Sequence, residues 1–155
     1  MTWTFLRPGM FAANALAWWG PQIHRGGVVL WPYADAPTAP IHERDIAAVE
    51  VRALIEGGSN GAEHVITGPE SLSQREQVDI IGDVIGRSLR FEEILPEEAR
   101  HELPFPLPAV NMLLGAWAAA VGQPAYITST VSEVTGAPAR TFHEWAIDHA
   151  GEFQP

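Results

Sequence analysis

The sequence predicts an α/β protein that contains a short parallel sheet. Segments rich in β-forming residues alternate with amphipathic segments along the 155-residue chain, an order typical of β–α–β units. The first of them, residues 3–6, is rich in apolar and β-branched residues and is stopped by Pro8 and Gly9. Such a run is typical of a central parallel strand with both faces buried. Because few other segments are available to pair with it, we expect an incomplete sheet.

Composition restricts the functions open to the chain. Its net charge of −10 disfavours non-specific binding to nucleic acids and to anionic membranes, which both require clustered cations. Cysteine is absent and all nine basic residues are arginines, so disulfides, thiolate sites and a catalytic lysine are excluded. The apolar run 10–19 resembles a signal peptide only superficially, because Asn14 lies inside it. We therefore expect a cytoplasmic protein with neither a membrane nor a nucleic acid as its partner.

Helix and strand signals follow in order along the first half of the chain. Residues 11–19 present a wide apolar face and predict a helix, and residues 28–31 predict a strand. A further short strand is expected at residues 41–42. The next helix is expected to end near residues 57–58. Its predicted inward side chains are Ile46, Val49, Ala53 and Leu54.

The second half contains two more strand signals and several helices. Residues 63–67 and 89–94 predict strands. Two S/T-x-x-E sequences, at residues 73–76 and 141–144, predict capping boxes at the starts of helices. Further helices are predicted from Pro96 onward, over residues 107–121 and over residues 130–135.

Four segments, spread over nearly the whole chain, carry a family resemblance. They are WTFLRPGMF at residues 3–11, PIHERDIA at 40–47, VITGPESLS at 65–73 and TVSEVTGAPARTF at 130–142. Each motif is short, but their combination in this order is specific. With them the chain resembles the NmrA-like family of atypical short-chain dehydrogenases/reductases, which bind NAD(P) and include quinone and azo-dye reductases.

The resemblance implies a Rossmann-like fold, represented here by a few strands of its parallel sheet and an appended helical substrate lobe. Full-length members begin with a G-x-x-G-x-x-G loop that holds the dinucleotide pyrophosphate, and no such spacing occurs here. Residues 1–155 are therefore interpreted as one domain, the C-terminal half of an NmrA-like protein without its dinucleotide-binding half. NAD(P) is the implied cofactor, although tight binding by this chain alone is not expected.

Candidate site residues follow from the first motif and from the aromatic residues after it. By resemblance, Pro8, Gly9, Met10 and Phe11 lie beside the nicotinamide ring; the alternative is a turn with Met10 and Phe11 in the core. An aromatic substrate pocket is expected as well, with core packing as the alternative for each residue. Only one of the two adjacent tryptophans is expected to face the core. The candidate pocket residues are Asn14, Trp18, Trp19, Trp31 and Tyr33.

The densest group of ionisable residues lies at residues 42–45. One interpretation is an acid–base pair of His42 and Asp45, with Arg44 binding an anion. In the other, Asp45 stabilises the first turn of a helix and Arg44 forms a structural ion pair. The remaining histidines lack the spacing of metal ligands, so no metal site is expected. Tyr126 has no lysine four residues later and is not a reductase tyrosine.

Three functions remain open at this point. The first is an NAD(P)H-dependent oxidoreductase whose substrate-pocket half acts on a small aromatic or quinone-like molecule, with the missing strands supplied by another polypeptide or by an upstream coding region. The second is a non-catalytic binding or assembly module that self-associates through its open sheet edge. A homo-oligomer or a complementing chain is therefore the expected protein partner. The third is a cofactor-independent enzyme that uses His42 and Asp45.

Overall fold

The structure, a computed structural model, describes residues 3–56 and 61–154. Its strands are β1 (Thr4–Pro8), β2 (Val28–Trp31), β3 (Pro37–Thr38), β4 (Ala62–Ile66), β5 (Leu72–Ser73) and β6 (Arg90–Glu93). Its helices are α1 (Asn14–Arg25), α2 (Glu43–Glu56), α3 (Gln74–Ile85), α4 (Pro96–Glu102), α5 (Leu107–Ala120), α6 (Thr130–Thr135) and α7 (Phe142–Asp148), followed by a 3₁₀ helix at Ala150–Phe153. Helices separate β1, β2–β3, β4–β5 and β6 along the chain, so the predicted α/β class is confirmed. None of the described helices is both long and apolar enough to cross a membrane.

Strand pairing is parallel in the two longer pairs and antiparallel in the short one. β1 pairs with β4 in a register that places Thr4 opposite Ala62. β2 pairs with β6 in parallel, and β3 pairs with β5 in antiparallel orientation. The predicted parallel strands are therefore present, but in the described residues they form separate two-stranded units. The strand expected at residues 41–42 is reduced to a single bridge between Phe11 and Ile41.

One face of the β1–β4 pair packs on α2 and α6. Ile66 of β4 is fully buried there, together with Val49 of α2 and Val131 of α6. Leu6 of β1 packs against this small core. Leu6 and Ile66 thus anchor the carboxyl ends of both strands from the same side of the sheet.

The opposite face of the β1–β4 pair exposes apolar side chains. Trp3 and Phe5 contact each other, with ring centroids 4.7 Å apart, and they are 50% and 55% exposed. Val65 of β4 is exposed as well. The prediction that the first strand is buried on both faces is therefore wrong for the described chain, because its helices cover only one face of this pair.

Helix α2 carries a second exposed apolar surface. Its inward residue Val49 is buried as predicted, whereas Leu54 is 84% exposed. The prediction that Leu54 faces inward is wrong because a residue next to the inward Ala53 is turned by about 100° around the helix axis. Leu54 lies instead with Val51 and Ile55, which are also exposed. The helix end expected near residues 57–58 lies outside the described residues.

The larger core has a cluster of tryptophans in it. Trp18 of α1 stacks on Trp31 of β2, with centroids 5.6 Å apart and planes inclined by 24°. Trp117 of α5 meets Trp18 edge to face, and Trp19 meets Trp31 in the same way. The Trp31 indole N–H donates to the Gln74 side chain of α3 at 2.7 Å. Offset and edge contacts of this kind stabilise a core beyond the area that they bury.

Helix α1 is longer than the sequence predicts. It spans Asn14–Arg25, whereas the apolar pattern predicts residues 11–19. Pro21 lies inside the helix and removes one backbone hydrogen bond, because proline has no N–H. The helix continues past it because Ile23 is fully buried, as is Trp19 one turn earlier, so the apolar side of the helix remains packed.

Both predicted capping boxes are confirmed. The Ser73 hydroxyl accepts a hydrogen bond from the Glu76 backbone N–H, and the Glu76 carboxylate accepts one from the Ser73 backbone N–H at 2.8 Å. Thr141 and Glu144 form the same reciprocal pair at the start of α7. Because each box satisfies two amides that have no partner within the helix, it fixes the residue at which the helix begins.

Candidate functional site

The segment after β1 is fixed across the carboxyl ends of β1 and β4. The Gly9 N–H donates to the Ile66 carbonyl at 2.9 Å. The Met10 carbonyl accepts a hydrogen bond from the Ile41 N–H at 2.8 Å, and the Ala12 N–H donates to the Ile41 carbonyl at 2.9 Å. Carboxyl ends of parallel strands are where ligands bind in open α/β sheets. The backbone here is therefore held rigidly at a position suited to ligand binding.

The side chains of this segment divide between core and solvent. Pro8 and Met10 are half-buried, whereas Gly9 is exposed and Phe11 is 45% exposed. The alternative, a turn with Met10 and Phe11 in the core, is thus wrong for Phe11. Asn14 follows in the first turn of α1, and its amide nitrogen lies 3.1 Å from the Met10 sulfur. The chain therefore brings the predicted nicotinamide segment and the first predicted pocket residue together.

A cavity of about 700 Å³ opens beside the second half of α1, and we call it the α1 cavity. Trp18 and Trp31 both line it. Trp19 does not, because it is 1% exposed and packs into the core. Trp18 packs in the tryptophan cluster of the larger core as well, so the expectation that only one of the two adjacent tryptophans faces the core is wrong; Trp18 reaches the cavity in addition.

Tyr33 lines a different cavity, of about 480 Å³, together with Arg100 and Asn111. Its φ of 54° lies in the left-handed region, which is uncommon for residues other than glycine. The Tyr33 carbonyl accepts hydrogen bonds from the Gln74 side chain at 2.9 Å and from the Ala36 N–H at 3.0 Å, which hold this conformation. The predicted aromatic pocket is therefore divided between two cavities.

His42 and Asp45 have separate partners rather than each other. The His42 ring is buried, with Nε2 lying 3.2 Å from an Asp148 carboxylate oxygen and Nδ1 accepting the Arg44 backbone N–H. The Asp45 carboxylate accepts hydrogen bonds from the Arg140 guanidinium and from the Arg140 backbone N–H. Arg44 forms an ion pair with Asp148 at 2.9 Å. His42, Arg44 and Asp45 thus all have structural partners.

A second charged group, which we call the His149 cluster, consists of Glu43, His149 and Glu152. The His149 ring bonds to Glu152 at 2.6 Å and to Glu43 at 2.7 Å. Partial burial lowers the pKa of His149, but these two carboxylates more than offset it, so the pKa lies above the ordinary 6.5. Burial also opposes ionisation of Glu43, and the hydrogen bond from His149 outweighs it, so the pKa of Glu43 is lowered. The cluster joins the C-terminal helices to the start of α2.

The described residues suit the ring of a dinucleotide better than its phosphates. Anion binding at a helix start needs free N–H groups, but at α1 the N–H groups of Asn14, Ala15 and Leu16 already donate to backbone carbonyls. Phe11 instead offers exposed apolar surface at the strand ends. In the part of the chain that the structure describes, no group of three or more histidines or carboxylates, the His149 cluster included, has an arrangement that could hold a metal ion.

Two residues of this region were missed by sequence reasoning. A Cβ at Gly68 would lie 1.9 Å from the Pro40 carbonyl oxygen, so glycine is required where these two segments cross. Arg140 supplies the partner of the buried Asp45. Both residues lie within the family motifs, and this was the one sequence signal that could have identified them. A motif does not show, however, which distant backbone or side chain its residues contact.

Two curated proteins are similar in sequence to nearly the whole chain. No protein-family model matches the chain. It is 42% identical over 156 residues to a (4-alkanoyl-5-oxo-2,5-dihydrofuran-3-yl)methyl phosphate reductase of Streptomyces griseus, an alignment that covers 99% of this chain and 55% of that protein. It is 36% identical over 162 residues to an NAD(P)H azoreductase of Xenophilus azovorans, covering 99% of this chain and 54% of that protein.

A solved structure agrees with these alignments. The NADPH-dependent quinone oxidoreductase of Escherichia coli, complexed with NADPH, matches with a TM-score of 0.76 at 22% identity, over 94% of this chain and 53% of that chain. At this identity the likeness concerns the fold. The chain spans about half the length of the relatives that it matches. The relatives that it matches are reductases, in agreement with the NmrA-like resemblance of its four motifs, and the chain corresponds to about half of such a protein.

Proposed function

We propose that the chain forms the substrate-binding half of an NAD(P)H-dependent reductase of small, electron-poor conjugated molecules. One observation carries the proposal: Trp18, which lines the α1 cavity, lies one helical turn beyond Asn14, and Asn14 directly follows the segment at the ends of β1 and β4. Apolar cavities with a few polar groups at such strand ends are the usual small-molecule sites of α/β proteins. The substrate cavity thus lies along the same helix that begins just after the segment that the motifs assign to the nicotinamide.

The relatives support this class of substrate. By their names, they reduce an alkanoyl-substituted oxo-dihydrofuran phosphate, azo compounds and quinones. Each of these is a conjugated system whose electrons are drawn toward carbonyl oxygens or azo nitrogens, so each accepts a hydride. For this chain we propose the same class, which includes quinone-like acceptors. We favour an alkanoyl dihydrofuranone because the relative with that substrate shares 42% identity with the chain.

The residues of this chain orient the acceptor. When bound, a reduced nicotinamide supplies the hydride. The amide of Asn14 now donates to the Met10 sulfur, which is a weak acceptor, so a substrate carbonyl replaces it at little cost. Phe11 covers the reacting end of the substrate with an exposed ring, and Trp18 excludes water from the far side. Asn14 is therefore the proposed polar contact of the substrate.

A nucleotide-binding unit is proposed to cover the exposed face of the β1–β4 pair. Parallel sheets are normally covered on both faces, and this face exposes the apolar side chains of Trp3, Phe5 and Val65 beside the Arg7–Glu63 ion pair. The unit supplies the phosphate cradle, whether it is carried on the same polypeptide or on another. NAD(P) binding by residues 1–155 alone is accordingly proposed to be weak.

A second candidate function, a non-catalytic assembly module, is favoured by the edge of β1. Within the described residues β4 is the one strand that pairs with β1, so the other edge of β1 is open to a further strand. Pairing of two such edges produces a homo-oligomer. Sedimentation separates the two candidates: a dimer that persists when the nucleotide-binding unit is added favours assembly, and a dimer that the unit displaces favours the reductase.

The reductase proposal is tested by combining the chain with the nucleotide-binding half of the Streptomyces relative. NADPH oxidation is followed with an alkanoyl dihydrofuranone methyl phosphate as the acceptor. We expect oxidation only when both polypeptides and the acceptor are present. Asn14→Ala lowers turnover about tenfold because one hydrogen bond to the acceptor is lost, whereas Asn111→Ala, in the other cavity, leaves it unchanged. A stable complex without any oxidation contradicts the proposal.

A further inference from the structure

We infer that the α1 cavity is a subsite for an alkyl chain, and that it holds the acyl tail of an alkanoyl substrate. The inference rests on the proposed reductase function and extends it, because it assigns a part of the substrate to a part of the chain. It also predicts which members of the substrate class this protein prefers.

The α1 cavity is long. Its lining residues on α1 run from Ala17 to Arg25 and recur every three or four positions, which places them along one side of the helix. At 1.5 Å per residue the cavity follows α1 for about 12 Å. From covalent bond lengths, this accommodates an extended chain of about eight to ten carbons.

Apolar side chains dominate its lining. The polar side chain of Gln22 is already engaged, since its oxygen accepts the Leu30 backbone N–H at 2.7 Å. The charged lining residues Arg25, Glu98 and Glu102 are exposed and so remain hydrated. A hydrocarbon therefore enters without leaving a buried polar group unpaired. The apolar lining residues, besides the tryptophans, are Ala17, Pro21, Val28, Leu30, Ile94, Leu103 and Pro104.

The arrangement of the tryptophans favours an alkyl chain over a flat ring. A slot for an aromatic ligand needs two parallel faces that are open to it. Trp18 and Trp31 are instead stacked on each other at 5.6 Å, and Trp117 closes on Trp18 edge to face. Trp18 and Trp31 therefore leave no slot between them at the cavity, and a flexible chain packs against their side of it.

The start of the cavity fits the proposed chemistry. Trp18 lies four residues after Asn14 and therefore on the same side of α1. A substrate whose carbonyl reaches the Asn14 amide directs its acyl chain along the helix toward Arg25. The reacting ring and its phosphate then remain at the ends of β1 and β4.

A homologous series of ligands tests the subsite on the 155-residue chain itself. Alkanoyl dihydrofuranones from acetyl to dodecanoyl are titrated, with fluorescence of the tryptophan cluster as the readout. We expect Kd to fall about fourfold per added methylene, since each buried methylene contributes a constant transfer free energy. The fall stops once the chain exceeds the cavity. A Kd that does not depend on chain length, or tighter binding of menadione than of the octanoyl compound, overturns the inference.

Two substitutions test whether the dependence of Kd on chain length arises in the α1 cavity. Ala17→Phe fills the cavity and Leu30→Gln makes its wall polar; both side chains are exposed, so folding is retained. Each is expected to weaken binding of the octanoyl compound at least tenfold without changing that of the acetyl compound. The matched controls Ala119→Phe and Leu54→Gln, exposed on other helices, leave both unchanged. Equal losses in variants and controls contradict the assignment.

The two proposals fail in different ways. NADPH-dependent reduction without any effect of acyl length refutes the subsite and retains the reductase. Length-dependent binding that Ala17→Phe abolishes, without reduction in the completed complex, supports the subsite and refutes the reductase.

Discussion

Asp45 is the most deeply buried carboxylate near the candidate site. It is 1% exposed and accepts two hydrogen bonds from Arg140, one of them from the backbone N–H at 2.7 Å. A carboxylate in this position depends on its partner, because removal of the partner leaves a buried charge unpaired. The contact thus joins the motif that contains Arg140 to the motif that contains Asp45.

Arg140→Ala is predicted to lower the free energy of unfolding by about 2–3 kcal/mol, since Asp45 then loses its charged partner. Arg44→Ala is the control, because Arg44 pairs with Asp148 at the surface, with side chains 62% and 32% exposed. Its loss is expected to cost about 0–1 kcal/mol. Urea denaturation measures both values, and equal values contradict the structural role of Asp45.

Alanine substitutions at two glycines are predicted to change the stability of the chain in opposite directions. Gly68→Ala places a Cβ against the Pro40 carbonyl oxygen and requires the backbone to move, which costs about 1–3 kcal/mol. Gly20→Ala lies within α1 and meets no atom within 4 Å, so it stabilises the chain by about 0.4–1 kcal/mol. Thermal unfolding of both variants checks this pair. A Gly68→Ala chain as stable as the wild type excludes the close approach to residue 40.

The His149 cluster predicts a dependence of stability on pH. The folded pKa of His149 lies above 6.5, so its stabilisation is complete below about pH 6.5 and is lost as the pH rises through the folded value. The folded pKa of Glu43 lies below the ordinary 4.5. Its contribution to stability is therefore present above pH 4.5 and is lost as the pH falls through the folded pKa. The Tm difference between wild type and His149→Gln should therefore be largest between these limits. A constant difference up to alkaline pH contradicts the cluster; the double variant Glu43→Gln, Glu152→Gln removes the effect.

Among the elements, those with local signals were predicted well. The capping boxes fixed the starts of α3 and α7 because all their atoms lie within four consecutive residues. The course of α1 was predicted less well. Its continuation past Pro21 depends on Ile23, whose burial is created by distant elements. Propensity alone stops such a helix too early.

The exposed face of the β1–β4 pair carries a prediction at the level of the element. Phe5→Asp is expected to weaken binding of the nucleotide-binding unit at least tenfold, because a charge then enters an apolar interface. The Tm of the chain itself should change little, since Phe5 is 55% exposed. Leu54→Asp, on the outward side of α2, is the control for an exposed apolar residue elsewhere. Calorimetric titration of the two variants measures the affinities, and equal affinities argue against this face as the interface.

For the whole molecule, the sequence predicted class and family, while the site was predicted only in part. From the sequence, Pro8 and Asn14 are candidates for two separate roles, and they lie close together because the chain connects them directly. The partners of His42 and Asp45 could not be predicted, since Asp148 and Arg140 are brought to them only by the packing of the C-terminal helices. The division of the aromatic residues between two cavities has the same cause.

The central claim is that this chain holds the substrate while another unit holds the dinucleotide. NADPH affinity tests it most directly, measured by calorimetry for the chain alone and for the chain combined with a nucleotide-binding half. The claim predicts that NADPH binds saturably to the complex and not to the chain alone. Phe5→Asp should weaken this binding, because the variant no longer forms the complex. Saturable, tight binding of NADPH to the chain alone would contradict it.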